Sequence, residues 1–308
     1  MMALSWYTIN FHKLSFGVQD KLARAIKEII AESNGEIAED ASKEEIIDYL
    51  ETNYERYRKK INYFNDKVPY HFLSPFLGSQ KTKVNYVSES VVSYGSETPS
   101  PYKIVDKSIV LHPEWSSYLR RHAQILKDFT LWNFTNKYLQ PKNPNIPNIT
   151  EKLIERPIRK SLATQTKLWK QLAAEQPIVS IYTQQPLSTF DLDHYVPWSF
   201  VSHNQLWNLA PIEKSLNSSK SNKLPPQLFI QRFTSQQFDF FQCVYQKNYL
   251  EYGKNSKALE DYSTIFNRQT REIASFSKVR FQEMLSNQIE PLLQFASNLG
   301  FEDWGYGD

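Results

Sequence analysis

A stretch in the second half of the chain carries side chains suited to cutting a phosphodiester bond. Such a hydrolysis needs a base that deprotonates water, a hard cation that neutralises charge on the phosphate, and oxygen ligands that hold this cation. Asp193 offers a carboxylate oxygen, His194 an imidazole whose ordinary pKa lies near neutrality, and Asn217 an amide oxygen. These three residues are therefore the candidate reacting groups.

The candidates lie on a predicted order of strand, long loop, strand and helix. Alternating residues before Asp193 indicate a first strand, residues 207–211 a second strand, and residues 212–222 a short helix. Because adjacent residues on a strand point to opposite faces, Asp193 and His194 can serve one site only if the strand ends or bends there. Pro197 favours such an ending. Lys220 follows Asn217 by three residues and shares its helix face.

This stretch resembles the HNH nuclease family, also described as His-Me finger or ββα-metal endonucleases. It is most similar to the zinc-free members found in RNA-guided CRISPR effector nucleases. The resemblance covers roughly residues 178–226. It rests on Asp-His at 193–194, Pro-x-Ser-Phe at 197–200, the asparagines at 208 and 217, Lys-Ser at 220–221 and Pro225.

The resemblance implies roles for five residues. His194 would be the general base, and Asp193 and Asn217 would bind one Mg²⁺ or Mn²⁺ ion. Asn208 would tie the loop between the strands and orient His194, and Lys220 would lie near the scissile phosphate. The fold implied is a ββα-metal nuclease unit.

Many relatives carry two Cys-x-x-Cys pairs that bind zinc around this motif, whereas the chain has a single cysteine, Cys243. One thiol cannot form an internal disulfide or a zinc site that needs two or more thiolates. We therefore expect no zinc, and a scaffold supplied by packing against the rest of the chain.

The composition is that of a globular protein with one large domain or two smaller ones. The 308 residues are 41% hydrophobic and 22% charged, which excludes disorder as the main state. The chain lacks both a long apolar run and a basic segment followed by an apolar core at its start. We expect no membrane span, no secretion signal and a cytoplasmic location. Eight glycines form no phosphate-binding loop, which disfavours nucleotide-driven chemistry within this chain.

Positive charge is concentrated in the middle of the chain, although the net charge is only +3. Residues 101–170 contain 13 basic and 5 acidic side chains, whereas residues 1–60 contain 9 basic and 11 acidic ones. The middle stretch is a candidate surface for DNA, with a solvated helix face as the alternative. A helix predicted over about residues 151–175 would place four basic side chains on one broad face: Arg156, Arg159, Lys160 and Lys167.

The predicted fold class is α+β and mainly helical, with the ββα unit embedded between helical N-terminal and C-terminal regions. The predicted regions are 1–145, a recognition or partner region; 146–226, the nuclease unit with its leading basic helix; and 227–308, a helical region packing on that unit. Further predicted elements are a helix over 18–33, a capping box at Ser42 and Glu45 opening one helix through Ile61, loops and a small strand pair over 68–100, and a long helix from Pro113 through Phe134.

Two functional hypotheses remain open from the sequence. The first is a metal-dependent DNA endonuclease, and the second is a nucleic-acid-binding or assembly subunit that keeps an HNH-like fold without turnover. The four core positions of the family are all retained, as Asp193, His194, Asn208 and Asn217. This favours the enzyme, because a degenerate module would lose the base or a ligand. By analogy alone, restriction or anti-phage defence is the usual setting, with a separately encoded protein partner, and a homing or toxin nuclease is a further alternative. His203 lies in the long loop between the two predicted strands and is interpreted as solvated rather than catalytic.

Overall fold

The computed structural model describes residues 2–153, 160–250 and 259–306. The chain divides into two compact units, Met1–Trp6 with Gly17–Pro141, and Tyr7–Phe16 with Lys142–Asp308. Helices predominate in both, and the described strands form two antiparallel pairs. This confirms the predicted α+β, mainly helical class. The second unit also takes in residues 7–16. The predicted regions 1–145, 146–226 and 227–308 stay predictions.

The first unit contains most of the N-terminal helices and one strand pair. Its α1 continues into the second unit. In chain order the elements are α1 (Met2–Asn10), α2 (Lys21–Ser33), α3 (Lys43–Thr52), α4 (Tyr54–Asn65), α5 (Val68–His71), α6 (Ser74–Leu77), α7 (Lys83–Tyr94), β1 (Tyr102–Val105), β2 (Ser108–Leu111), α8 (Pro113–Arg121) and α9 (Ala123–Asn133).

Local signals fix several of these helix ends. α2 begins where Asp20 accepts a hydrogen bond from the main-chain nitrogen of Ala23, and it ends at Asn34 in the left-handed conformation. The capping box of Ser42 and Glu45 is present at the start of α3. Two helices predicted as continuous are divided, at Asn53 and at His122, where the backbone leaves helical geometry.

The predicted strand pair within residues 68–100 is wrong. Thr82 caps α7 by accepting a hydrogen bond from the main-chain nitrogen of Asn85. The helix places Tyr86 in a small core against Leu73 and Ile104. Burial of this face outweighs the β propensity of the valines, because propensity is weaker than tertiary packing. The strand pair of this unit lies further along, where β1 pairs with β2.

The second unit packs helices around one strand pair. Its elements are α10 (Ala163–Glu175), β3 (Asp191–His194), α11 (Trp198–Val201), β4 (Leu209–Ile212), α12 (Lys214–Lys220), α13 (Ile230–Val244), α14 (Glu260–Phe266), α15 (Thr270–Ala274) and α16 (Lys278–Asn298). The predicted ββα order and the helical C-terminal region are therefore confirmed.

Helix α13 lies at the centre of this unit. Phe240 stacks on Trp169 of α10 with ring centroids 4.1 Å apart, and Phe233 stacks on Tyr195 at 4.0 Å. The amide nitrogen of Gln237 donates to the main-chain oxygen of Leu209 in β4 at 2.7 Å. α13 thus holds the end of β3 and the start of β4 with both aromatic packing and a buried hydrogen bond.

Residues 7–16 brace the loop between β3 and β4. The buried His12 donates from Nδ1 to the main-chain oxygen of Ser199 at 2.6 Å. Thr8 donates to the main-chain oxygen of Lys152 at 3.0 Å, and Ser15 and Asn143 exchange two hydrogen bonds. The contact of His12 with Ser199 thus supports the loop from a distant part of the chain, and the other bonds hold residues 7–16 against residues 143–152.

Among the described helices, none combines the length and the apolar character that crossing a membrane requires.

Candidate functional site

The strand pair sets the positions of Asp193 and His194. β3 pairs antiparallel with β4, so that Asp193 lies opposite Ala210 and His194 opposite Leu209. β3 ends at His194. A strand end at this point is what Asp193 and His194 need in order to serve one site. The His194 residue is 8% exposed, and the Asp193 side chain is 15% exposed. Both groups thus lie at a protected strand end.

Asn208 closes the loop that follows His194. Its main-chain oxygen accepts from the nitrogen of Tyr195 at 2.8 Å. Its side-chain amide accepts from the nitrogen of Val196 at 2.8 Å and donates to the oxygen of Val196 at 2.9 Å. Asn208 is fully buried, so these bonds form away from competing water. The contacts agree with a loop-tying role, and they reach the main chain rather than the imidazole of His194.

Asn204, which the sequence did not single out, contacts the imidazole instead. Its Oδ1 lies 3.0 Å from Nε2 of His194, and its Nδ2 donates to the main-chain oxygen of Lys160 at 3.0 Å. The partner of this amide lies 44 positions upstream, and no motif spacing reveals such a contact. An additional amide in the loop was the only sequence feature that could have pointed to it.

Lys220 joins α12 to β3. Its Nζ lies 2.8 Å from Oδ2 of Asp193 and donates to the main-chain oxygen of His194 at 2.8 Å. Lys220 is fully buried, so its charge faces Asp193 rather than open solvent. The expected position of Lys220 near a scissile phosphate stays a prediction. The structure gives Lys220 the place of a counter-ion that fixes the carboxylate.

Asn217 lies one turn before Lys220 on α12, on the face that contacts β3. Its side chain is half-buried, and it makes no hydrogen bond among the described residues. Oδ2 of Asp193 is buried and paired with the ammonium of Lys220 at 2.8 Å. Carboxylate and amide oxygens are hard ligands, so the other oxygen of Asp193 and the amide oxygen of Asn217 fit a divalent cation that keeps several waters.

The described residues contain no cluster of three histidine, cysteine or acidic side chains that could bind a metal ion. A cation at Asp193 and Asn217 would therefore depend on water and phosphate oxygens for its remaining ligands.

Burial disfavours the charged form of three basic groups near the site. Burial, and then the proximity of His194 and Lys152, lowers the pKa of His203 to about 4. His203 is half-buried against Trp207 at 5.2 Å rather than solvated, which corrects the sequence interpretation. Burial lowers the pKa of His12 to about 4 and that of Lys152 to about 7. His203 and His12 are thus uncharged at neutral pH.

The predicted basic helix is only partly formed as expected. Arg156 and Arg159 lie outside the described residues. Lys160 precedes α10 in non-helical conformation, and Lys167 is exposed on α10 itself. Lys160 and Lys167 therefore do not share a helical face, because the helix starts only at Ala163. Their binding to nucleic acid stays a prediction.

The comparisons with known proteins identify one segment. Residues 180–226 match the family model described as HNH endonuclease. Neither the curated proteins nor the solved structures gave a significant match.

Proposed function

We propose that the HNH endonuclease domain at residues 180–226 makes this protein a metal-dependent DNA endonuclease. HNH nucleases generally use divalent metal ions. The observation that carries the proposal is the bond from Lys220 of α12 to both Asp193 and the main chain of His194, because it brings the helix with Asn217 onto the strand end. The alternative, a binding subunit without turnover, gains no support from a site in which base and ligands are all retained.

In the proposed reaction, a water oxygen attacks phosphorus while the neutral imidazole of His194 accepts the proton that this water loses. The phosphorus–oxygen bond to the leaving strand breaks as the new bond forms. The leaving oxygen keeps the electron pair of that bond and takes a proton from a second water. Asp193 and Asn217 would hold Mg²⁺ or Mn²⁺, which supplies charge neutralisation at the phosphate. Lys220 holds the carboxylate of Asp193 in place, and the bonds of Asn208 keep the loop closed behind the base.

The test of this function is cleavage of plasmid DNA by the full chain with Mg²⁺ or Mn²⁺. Nicked or linear product should appear, and EDTA should stop its formation without unfolding the protein as followed by circular dichroism. Stable binding of DNA without cleavage under any divalent metal would favour the non-catalytic subunit.

Asp193→Ala and Asn217→Ala should each weaken Mn²⁺ binding, whereas His194→Ala should leave it nearly unchanged. A carboxylate and an amide oxygen are hard ligands for such a cation, and the imidazole acts on water instead. Calorimetric titration of Mn²⁺ into each variant measures this. If Asp193→Ala binds Mn²⁺ as tightly as the wild-type protein, Asp193 is not a ligand.

DNA binding should depend on the basic stretch, residues 101–170, more than on the HNH segment at residues 180–226. Replacing Arg156, Arg159 and Lys160 by Gln should weaken binding about equally for all DNA sequences. The slope of log affinity against log salt should fall by roughly one to three units, since each neutralised phosphate contributes about 0.9. Fluorescence anisotropy over a salt series measures the slope.

A matched control replaces three exposed basic residues of the acidic N-terminal stretch by Gln: Arg24, Lys27 and Lys43. This variant should keep the wild-type slope. If the variant at Arg156, Arg159 and Lys160 also keeps the wild-type slope, the basic stretch is merely solvated or contacts a protein.

For the cellular setting we propose restriction or anti-phage defence, with a cytoplasmic location and a separately encoded protein partner. The support is the analogy with stand-alone HNH proteins that carry extra helical regions. Phage plating on cells that express the wild-type chain or the His194→Ala variant tests this setting, and equal plating would count against it.

A further inference from the structure

The contact between Asn204 and His194 has a direction. The main-chain oxygen of Lys160 can only accept a hydrogen bond, so the amide group facing it must be the Nδ2 of Asn204. The Oδ1 of Asn204 therefore faces the imidazole, 3.0 Å from Nε2. An amide oxygen can only accept, which requires Nε2 of His194 to carry the proton.

This direction determines the tautomer of the base. In a neutral imidazole one ring nitrogen donates and the other holds the lone pair. With Nε2 protonated toward Asn204, the lone pair of His194 is on Nδ1. Proton acceptance from water thus falls to Nδ1, and the opposite tautomer would lose the bond to Asn204.

The segment around the start of α10 holds Asn204 itself in position. Besides the bond to Lys160, the amide nitrogen of Gln165 donates to the main-chain oxygen of Asn204 at 3.2 Å. Gln165 lies in the first turn of α10, and α10 is packed on α13 through Trp169. The main chain of Asn204 is therefore anchored to a helix that packs on the core of the unit, and its side-chain amide is held between the main-chain oxygen of Lys160 and the imidazole of His194.

We propose that Asn204 is a positioning residue that sets the tautomer and the ring orientation of His194. The proposal rests on the function of His194 as the base. It differs from the role of Asn208, whose side chain bonds to the main chain of Val196 among the described residues. Asn204 acts on the reaction through the imidazole and touches no substrate.

Three variants separate positioning from structure. Asn204→Leu keeps the approximate size but removes the acceptor, and Asn204→Asp keeps an acceptor for Nε2. Gln165→Ala removes one anchor and leaves the contact to the imidazole. For Asn204→Leu we expect kcat for plasmid cleavage to fall about 10-fold to 100-fold with an unchanged KM for DNA, because loss of an orienting partner typically has this size. Asn204→Asp should recover most of kcat. The kcat of Gln165→Ala should lie between those of Asn204→Leu and the wild-type protein.

Nitrogen-15 NMR of the imidazoles gives a readout independent of cleavage. The His194 signals, assigned by their loss in His194→Ala, should show a protonated Nε2 in the wild-type chain and a mixture of tautomers in Asn204→Leu. A protonated Nδ1 in the wild type, or an unchanged tautomer and kcat in Asn204→Leu, would overturn the proposal. If the wild type shows the expected tautomer but cuts no DNA, the proposed function fails while the assignment of the hydrogen bond stands.

Discussion

His194→Ala is expected to lower the rate of DNA cleavage about 10²–10⁴-fold, the usual cost of losing a general base. Among the described residues, the neighbouring His203 is poorly suited to replace it. Burial keeps the pKa of the neighbouring His203 near 4, and the ring of His203 packs on Trp207. Plasmid cleavage at saturating Mg²⁺ or Mn²⁺ measures the effect, with circular dichroism to show that the fold is kept.

The matched control is His71→Ala, because His71 is exposed and lies in the other unit. This variant should cut at the wild-type rate. A folded His194→Ala protein that also cuts at the wild-type rate would remove His194 from the reaction.

Lys220→Ala is expected to lower the free energy of unfolding by about 3–5 kcal/mol in the presence of EDTA. Removing one partner of a buried ion pair leaves the other charge uncompensated, here the carboxylate of Asp193, which is 15% exposed. The bond from Nζ to the main-chain oxygen of His194 is lost as well. Urea denaturation followed by fluorescence measures this change.

Two further variants sharpen the result. Lys220→Met keeps the buried stem but removes the charge. If the ion pair dominates, its free energy of unfolding should fall nearly as much as that of Lys220→Ala. Lys214→Ala alters an exposed lysine on the same helix and should change stability by no more than about 0.5 kcal/mol. Stability of Lys220→Ala within that margin would mean that the pair with Asp193 contributes nothing.

Much of the second unit could be predicted because its local patterns agree with its packing. Residues 191–220 form strand, loop, strand and helix as their residue pattern indicates. The first unit is less predictable. The β-branched residues of α7 favour a strand locally, whereas the cap at Thr82 and the burial of Tyr86 against Leu73 and Ile104 favour the helix. Breaks at Asn53 and His122 likewise depend on where each helix must turn to pack.

The candidate site divides in the same way. Spacing identified Asp193, His194, Asn208, Asn217 and Lys220, since these positions follow a family pattern. Spacing could not show that Lys220 would be buried against Asp193, because burial depends on the whole unit. Asn204 was missed because its two partners, His194 and Lys160, are joined only by the tertiary fold.

The unit that carries the site is assembled from segments that are distant in sequence. His12 contacts Ser199 across 187 positions, and the main chain of Leu224 exchanges hydrogen bonds with Glu302 and Trp304. Contacts so distant in sequence form slowly. On refolding, the pairing of β3 with β4 should therefore precede the contacts of His12 and Trp304. Any activity of the site should return later than the helical signal does.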